Sequence, residues 1–183
     1  MKRVVAFVAL IVLLSGCSVK KVEDVTDSEK FAQEYDVSKN NPMIYVNYDK
    51  LMELFEEGSN IIFLADSDYE GSSKAAQLLL QEAKKQKVEK IYYYNPKKLE
   101  EKGPKKYKKL INKLKDFLEK EEDEYILNLP DIYSLKDGKI MNHSNYFSKE
   151  EELSEEHFTK KVKEEVRNKY REIITFKECI ECD

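Results

Sequence analysis

The chain has 183 residues, 37% of them charged, with a formal net charge of −4, three cysteines, two histidines and no tryptophan. That length suits one domain with its own apolar core. A mildly acidic, charge-mixed composition argues for a solvated globule and against nucleic-acid binding, which normally shows a basic patch. The one locally basic stretch, residues 97–109, interleaves lysine with Glu and Pro and reads as the wet face of a helix.

Lys2 and Arg3 open the chain, and residues 4–14 follow as an unbroken apolar run. The run is shorter than the ~20 residues a membrane-spanning helix needs. It has the size of the apolar region of a secretory signal. It ends in Leu14-Ser15-Gly16-Cys17, which resembles the lipobox of bacterial lipoproteins. The resemblance implies cleavage before Cys17 and attachment of diacylglyceryl and palmitate-class chains to that residue. More than one acyl chain makes a stable anchor. The expected location is the extracytoplasmic face of a cell membrane. The expected organisation is a signal peptide at 1–16, a lipidated tether and short helix at 17–40, a folded domain at 41–172 and a tail at 173–183.

Thr26, Asp27 and Ser28 are N-cap residues for a short helix to about residue 35. Met-Ile-Tyr-Val at 43–46 predicts a strand. Asn47 or Asp49 caps a helix carrying Leu51, Leu54 and Phe55, which Gly58 stops. Residues 61–65, Ile-Ile-Phe-Leu-Ala, predict a strand buried on both faces. A helix is expected from about Ser72 to Gln86, then a strand at 91–94. Tyr107, Leu110, Ile111, Leu114, Phe117 and Leu118 predict an amphipathic helix after Gly103-Pro104. Residues 125–127 begin a strand that Pro130 interrupts and 132–135 resume. Asp137-Gly138 marks a hairpin turn, with 139–141 returning. A last helix runs from Ser154 toward Tyr170. The alternating first half calls for parallel strands and the tight turn for an antiparallel pair. The expected fold is therefore α/β, a central mixed sheet with helices on both faces.

This order is similar to the thioredoxin fold over about residues 43–172. Residues 60–65 resemble the strand that leads to that family's Cys-x-x-Cys, and residues 74–86 the helix after it. Leu129-Pro130-Asp131 resembles its cis-proline segment, and residues 135–140 its hairpin. The resemblance implies a cis bond before Pro130. Aligned without gaps, the Cys-x-x-Cys positions hold Tyr69, Glu70, Gly71 and Ser72; a one-residue shift gives Asp68-Tyr69-Glu70-Gly71. Neither register contains sulfur, and thiol–disulfide exchange needs a thiolate. Asp66, Asp68 and Glu70 alternate somewhat like the start of a calcium loop, but without its 12-residue spacing and terminal Glu. Helix capping by Asp68, Ser72 or Ser73 is the simpler expectation, and neither metal nor cofactor is expected.

Cys179 and Cys182 form a Cys-x-x-Cys flanked by Glu178, Glu181 and Asp183. Those carboxylates disfavour a thiolate, and a disulfide there closes too small a loop to stabilise much. Three roles stand open: a passive disulfide, a redox pair, or half a metal site completed by His143, His157 or another chain. The leading expectation is a membrane-anchored lipoprotein whose domain binds an extracytoplasmic protein partner. The alternatives are an oxidoreductase using Cys179 and Cys182, and a structural envelope protein.

Overall fold

The computed structural model describes residues 26–97, 99, 103–154 and 156–176. Helix α1 (Asp27–Tyr35) precedes β1 (Met43–Tyr45), α2 (Tyr48–Glu56), β2 (Asn60–Leu64), α3 (Glu70–Gln86) and β3 (Ile91–Tyr94). Then come α4 (Pro104–Leu114), β4 (Glu119–Glu121), β5 (Glu124–Ile126), β6 (Asp131–Lys136), β7 (Lys139–Ser144) and α5 (Lys160–Ile174). Five strands form one mixed sheet in the order β1-β3-β2-β6-β7. β1 and β2 run parallel to β3, while β6 runs antiparallel to both β2 and β7. This is the thioredoxin-like α/β arrangement expected from the order of elements.

The alternating side chains of β2 feed two cores. Ile61, Phe63 and Ala65 pack with Phe31 and Tyr35 of α1, Ala75 and Leu79 of α3, and Val166 and Tyr170 of α5. Ile62 and Leu64 pack on the other face with Leu51 and Phe55 of α2 and Leu110 and Leu114 of α4. Each such apolar side chain contributes about 1.5–3 kcal/mol when fully buried, so the middle strand anchors both layers.

The first core is unusually rich in tyrosine. Tyr35 Oη donates to Tyr93 Oη at 2.9 Å, and Tyr93 Oη donates to the Ala65 carbonyl at 3.4 Å. Burial pushes both hydroxyls well above the ordinary tyrosine range. Their polar ends are therefore neutral and internally paired, which satisfies groups that burial would otherwise penalise.

Three elements differ from expectation. α4 ends at Leu114 and tightens into a 3-10 turn over Lys115–Phe117 instead of continuing to Leu118. Residues 125 and 126 belong to a separate two-stranded ribbon, β4 with β5, and do not begin β6. The ribbon is charged and exposed, so no core holds it to the main sheet. Pro130 cannot donate to a ladder, and β6 starts just after it. Finally, α5 begins at Lys160, where the Thr159 side chain accepts from the Val162 amide. The residues after β7 form two 3-10 turns instead, Tyr146–Ser148 and Glu150–Leu153.

The β6–β7 turn is pinned against α2. Gly138 has φ +74°, its amide donates to the Gly58 carbonyl at 3.2 Å, and an added Cβ would collide with the Glu56 carbonyl oxygen. Gly138→Ala should therefore cost about 2 kcal/mol in urea denaturation. A loss below about 0.5 kcal/mol, the scale of an ordinary surface change, would contradict this packing.

Candidate functional site

β2 delivers residues 66–72 to one end of the sheet, where α3 begins at Glu70. Tyr69, Glu70, Gly71 and Ser72 thus sit on the turn where a thioredoxin-like protein holds its thiols. The helix starts earlier than expected, with Tyr69 at the N-cap and no side-chain cap bond. Capping by Asp68, Ser72 or Ser73 is therefore corrected. Ser72 falls inside the first turn and is wholly buried, its amide donating to the Tyr69 carbonyl at 3.0 Å. Its Oγ has no hydrogen-bond partner among the described residues.

Gly71 is buried because the chain approaches it closely. A Cβ there would collide with the Phe147 carbonyl oxygen and the Tyr69 ring. Phe147 is itself fully buried, edge-on to Tyr146 and Phe158 with ring centroids 5.1 and 5.2 Å away. Lys74 fastens the second 3-10 turn, donating to the Leu153 carbonyl at 2.7 Å while pairing with Glu70 at 3.0 Å. Residues 145–153 therefore lie over the first turn of α3. A glycine here is required by contact, not by a special φ.

The acidic residues of the loop are already neutralised. Lys97 Nζ lies 2.9 Å from Asp66 Oδ2 and 3.6 Å from Asp68 Oδ2. Asp66 Oδ1 accepts from the Asp68 amide at 3.1 Å and from Asn95 at 3.5 Å. Burial acts to raise the Asp66 carboxyl, but Lys97 and these donors together hold it below the usual carboxylate range. A cation at this loop would have to displace the lysine ammonium. Among the described residues, no three His, Cys, Asp or Glu side chains group to hold a metal.

Pro130 follows a cis peptide bond, and Asp131 pairs with Leu64 in the β2–β6 ladder. Both therefore lie at the same end of the sheet as residues 66–72. Beside them is a polar cluster that the sequence reading did not single out. Asp131 is 1% exposed, with His143 Nδ1 3.3 and 3.4 Å from its two oxygens. Tyr133 stacks on His143 at 5.5 Å, and Phe117 meets it edge-on at 5.5 Å. Burial pushes the Asp131 carboxyl up against the opposing pull of His143. The Tyr133 hydroxyl is pushed well above its ordinary value, first by burial and then by Asp131. The signal was available: Asp131 and Tyr133 share a face at period two, and the hairpin sets His143 opposite Tyr133. His143 is thus committed to Asp131, while His157 Nδ1 lies 3.0 Å from Ser154 Oγ in a turn before α5.

Cys17, Cys179 and Cys182 lie outside the described residues. The last described residue, Phe176, shares a surface depression with Ser59, Asn60 and Ile61. That is the start of β2, the end of the sheet opposite residues 66–72. No helix among the described residues is long and apolar enough to cross a membrane.

Two outcomes follow from these contacts. Gly71→Ala should cost more than about 1 kcal/mol, the lower end for overpacking; an unchanged denaturation midpoint would show that residues 145–153 yield freely. The second concerns Asp131, whose carboxyl is raised above its ordinary 3.8 in the folded state. Such a group contributes stability below its unfolded value and loses it as pH rises through the folded one. Asp131→Asn should therefore gain stability relative to the unaltered protein as pH rises from below 3.8 toward neutrality. A difference that stays flat across that range would contradict the burial of a raised carboxyl.

No protein-family profile matches the chain, and no curated protein matches it significantly.

Proposed function

We propose that the protein is a membrane-anchored extracytoplasmic bacterial lipoprotein whose thioredoxin-like domain binds a protein partner and does not exchange disulfides at the fold's usual position. The observation that carries this reading is the first turn of α3. It holds Tyr69, Glu70, Gly71 and Ser72 in place of thiols, and the Phe147 backbone packs onto Gly71. A thiolate nucleophile is missing there, and the buried Gly71 and Ser72 lie beneath residues 145–153. The anchor rests on the basic start, the apolar run and Leu-Ser-Gly-Cys at residues 14–17.

The attachment point has a consequence for orientation. Asp27 Oδ2 accepts from the Tyr45 amide at 3.0 Å, at the end of β1. The tether thus enters the domain at the same end of the sheet as residues 66–72. Fully extended, the stretch from Cys17 to Thr26 reaches at most about 30 Å. A partner held near the bilayer would meet this end first.

The second reading is an oxidoreductase acting through Cys179 and Cys182. The position of Phe176 favours placing such chemistry at the opposite end of the sheet, away from Pro130. That arrangement departs from the thioredoxin resemblance, in which the proline faces the thiols.

Membrane fractionation and insulin reduction separate the readings. Cys17→Ala should move the protein from the membrane to the soluble fraction, and unchanged retention would refute lipid anchoring. The reduced protein should not turn over insulin. Turnover that disappears in Cys179→Ser would replace the binding role with the oxidoreductase one.

A further inference from the structure

The end of the sheet opposite residues 66–72 carries an open groove of about 760 Å³. It runs between the α1–β1 connection and the last turns of α3. Val37, Pro42, Leu80 and Val88 supply its apolar surface. Lys87, Val88 and Glu89 line both this groove and the depression that contains Phe176, so the two form one trough. The trough therefore begins where the described chain ends.

Its charge is distributed unevenly. Lys84 and Lys87 line the groove, and Lys90 lines the depression beside Phe176. Lys85, Lys74 and Lys97 each hold a carboxylate. By contrast, Lys84, Lys87 and Lys90 have no ion-pair partner among the described residues. Glu89 offsets one of these charges, and Asp36 lines only the half farther from Phe176.

The residues that follow Phe176 are Lys177-Glu178-Cys179-Ile180-Glu181-Cys182-Asp183. They carry three carboxylates against one ammonium, with one bulky apolar side chain between the cysteines. Extended, seven residues reach about 23–25 Å from Phe176. We infer that residues 177–183 dock in this trough, with Ile180 on its apolar surface and the tail carboxylates beside Lys84, Lys87 and Lys90. The docking holds Cys179 and Cys182 against a lysine-rimmed wall and offsets the acidic neighbours that disfavour a thiolate. None of this depends on whether Cys17 carries lipid.

A spin label tests it. The full chain carrying Cys17→Ala and Cys182→Ser, kept in mild detergent, leaves Cys179 alone to take a nitroxide. Docking predicts that the amide signals of Val37 and Leu80, across the groove, broaden at least as strongly as that of Ser59. Glu178→Lys with Glu181→Lys should abolish the broadening at Val37 and Leu80 and leave the fold intact. Lys84→Glu with Lys87→Glu should do the same from the groove side. Broadening confined to Ser59 and its neighbours, or unaffected by either charge reversal, would overturn the inference. Broadening that appears on an isotope-labelled chain only when a second, spin-labelled copy is added would also overturn it, by assigning the groove to another molecule's tail.

Discussion

Burial of both faces of β2 is the constraint from which the rest of the domain follows. Ile62 and Leu64 are wholly enclosed on one side, Phe63 and Ala65 on the other. A strand enclosed in this way must sit mid-sheet, with a helical layer over each face. It takes β3 as a parallel neighbour and β6 as an antiparallel one. Its exit then fixes where residues 66–72 must turn into α3. The same register brings Asp131 beside Leu64, and with it Pro130 and the His143 pair.

The result is a thioredoxin-like α/β frame in which the first turn of α3 is a packed corner. Two features act together there. The sulfur positions hold a tyrosine ring and a buried serine, and Gly71 lets the Phe147 backbone close onto the helix. The charges nearby are spent on one another: Lys97 serves Asp66 and Asp68, and Lys74 ties Glu70 to the covering segment. Glu82 shows the same pattern deeper in the fold, a buried carboxylate meeting Lys85 at 2.6 Å and Arg171 at 3.3 Å between α3 and α5. The desolvation cost of burying such charges offsets much of what their pairing contributes to stability. The lysine-rimmed trough lies at the opposite end of the sheet from this corner.

Much of the frame was legible in the sequence because it depends on local pattern. The continuous apolar run at 61–65, the amphipathic spacing of Leu110, Ile111 and Leu114, and Asp137-Gly138 each determine an element by themselves. The covering of the site was not legible. It depends on Phe147 meeting Gly71 across 76 positions of chain, and a 3-10 turn has no periodicity to announce it. The helix start at Glu70 escaped for a related reason: Ser72 looks like a cap in sequence, but tertiary packing pulls its side chain inward. Asp131 with His143 needed the register of a hairpin whose bulge near Ser134 shifts the pairing. The thiols themselves, at 17, 179 and 182, lie outside the described residues, so their roles rest on sequence.

The most direct measurement places thiols on the first turn of α3. Tyr69→Cys with Ser72→Cys, in a chain whose own tail cysteines are replaced by Cys179→Ser and Cys182→Ser, puts thiols at the position where this fold can hold them. If packing of residues 145–153 closes the first turn of α3, this variant folds and still fails to reduce insulin. Turnover on introducing those two thiols would mean that the position is open and lacks only sulfur.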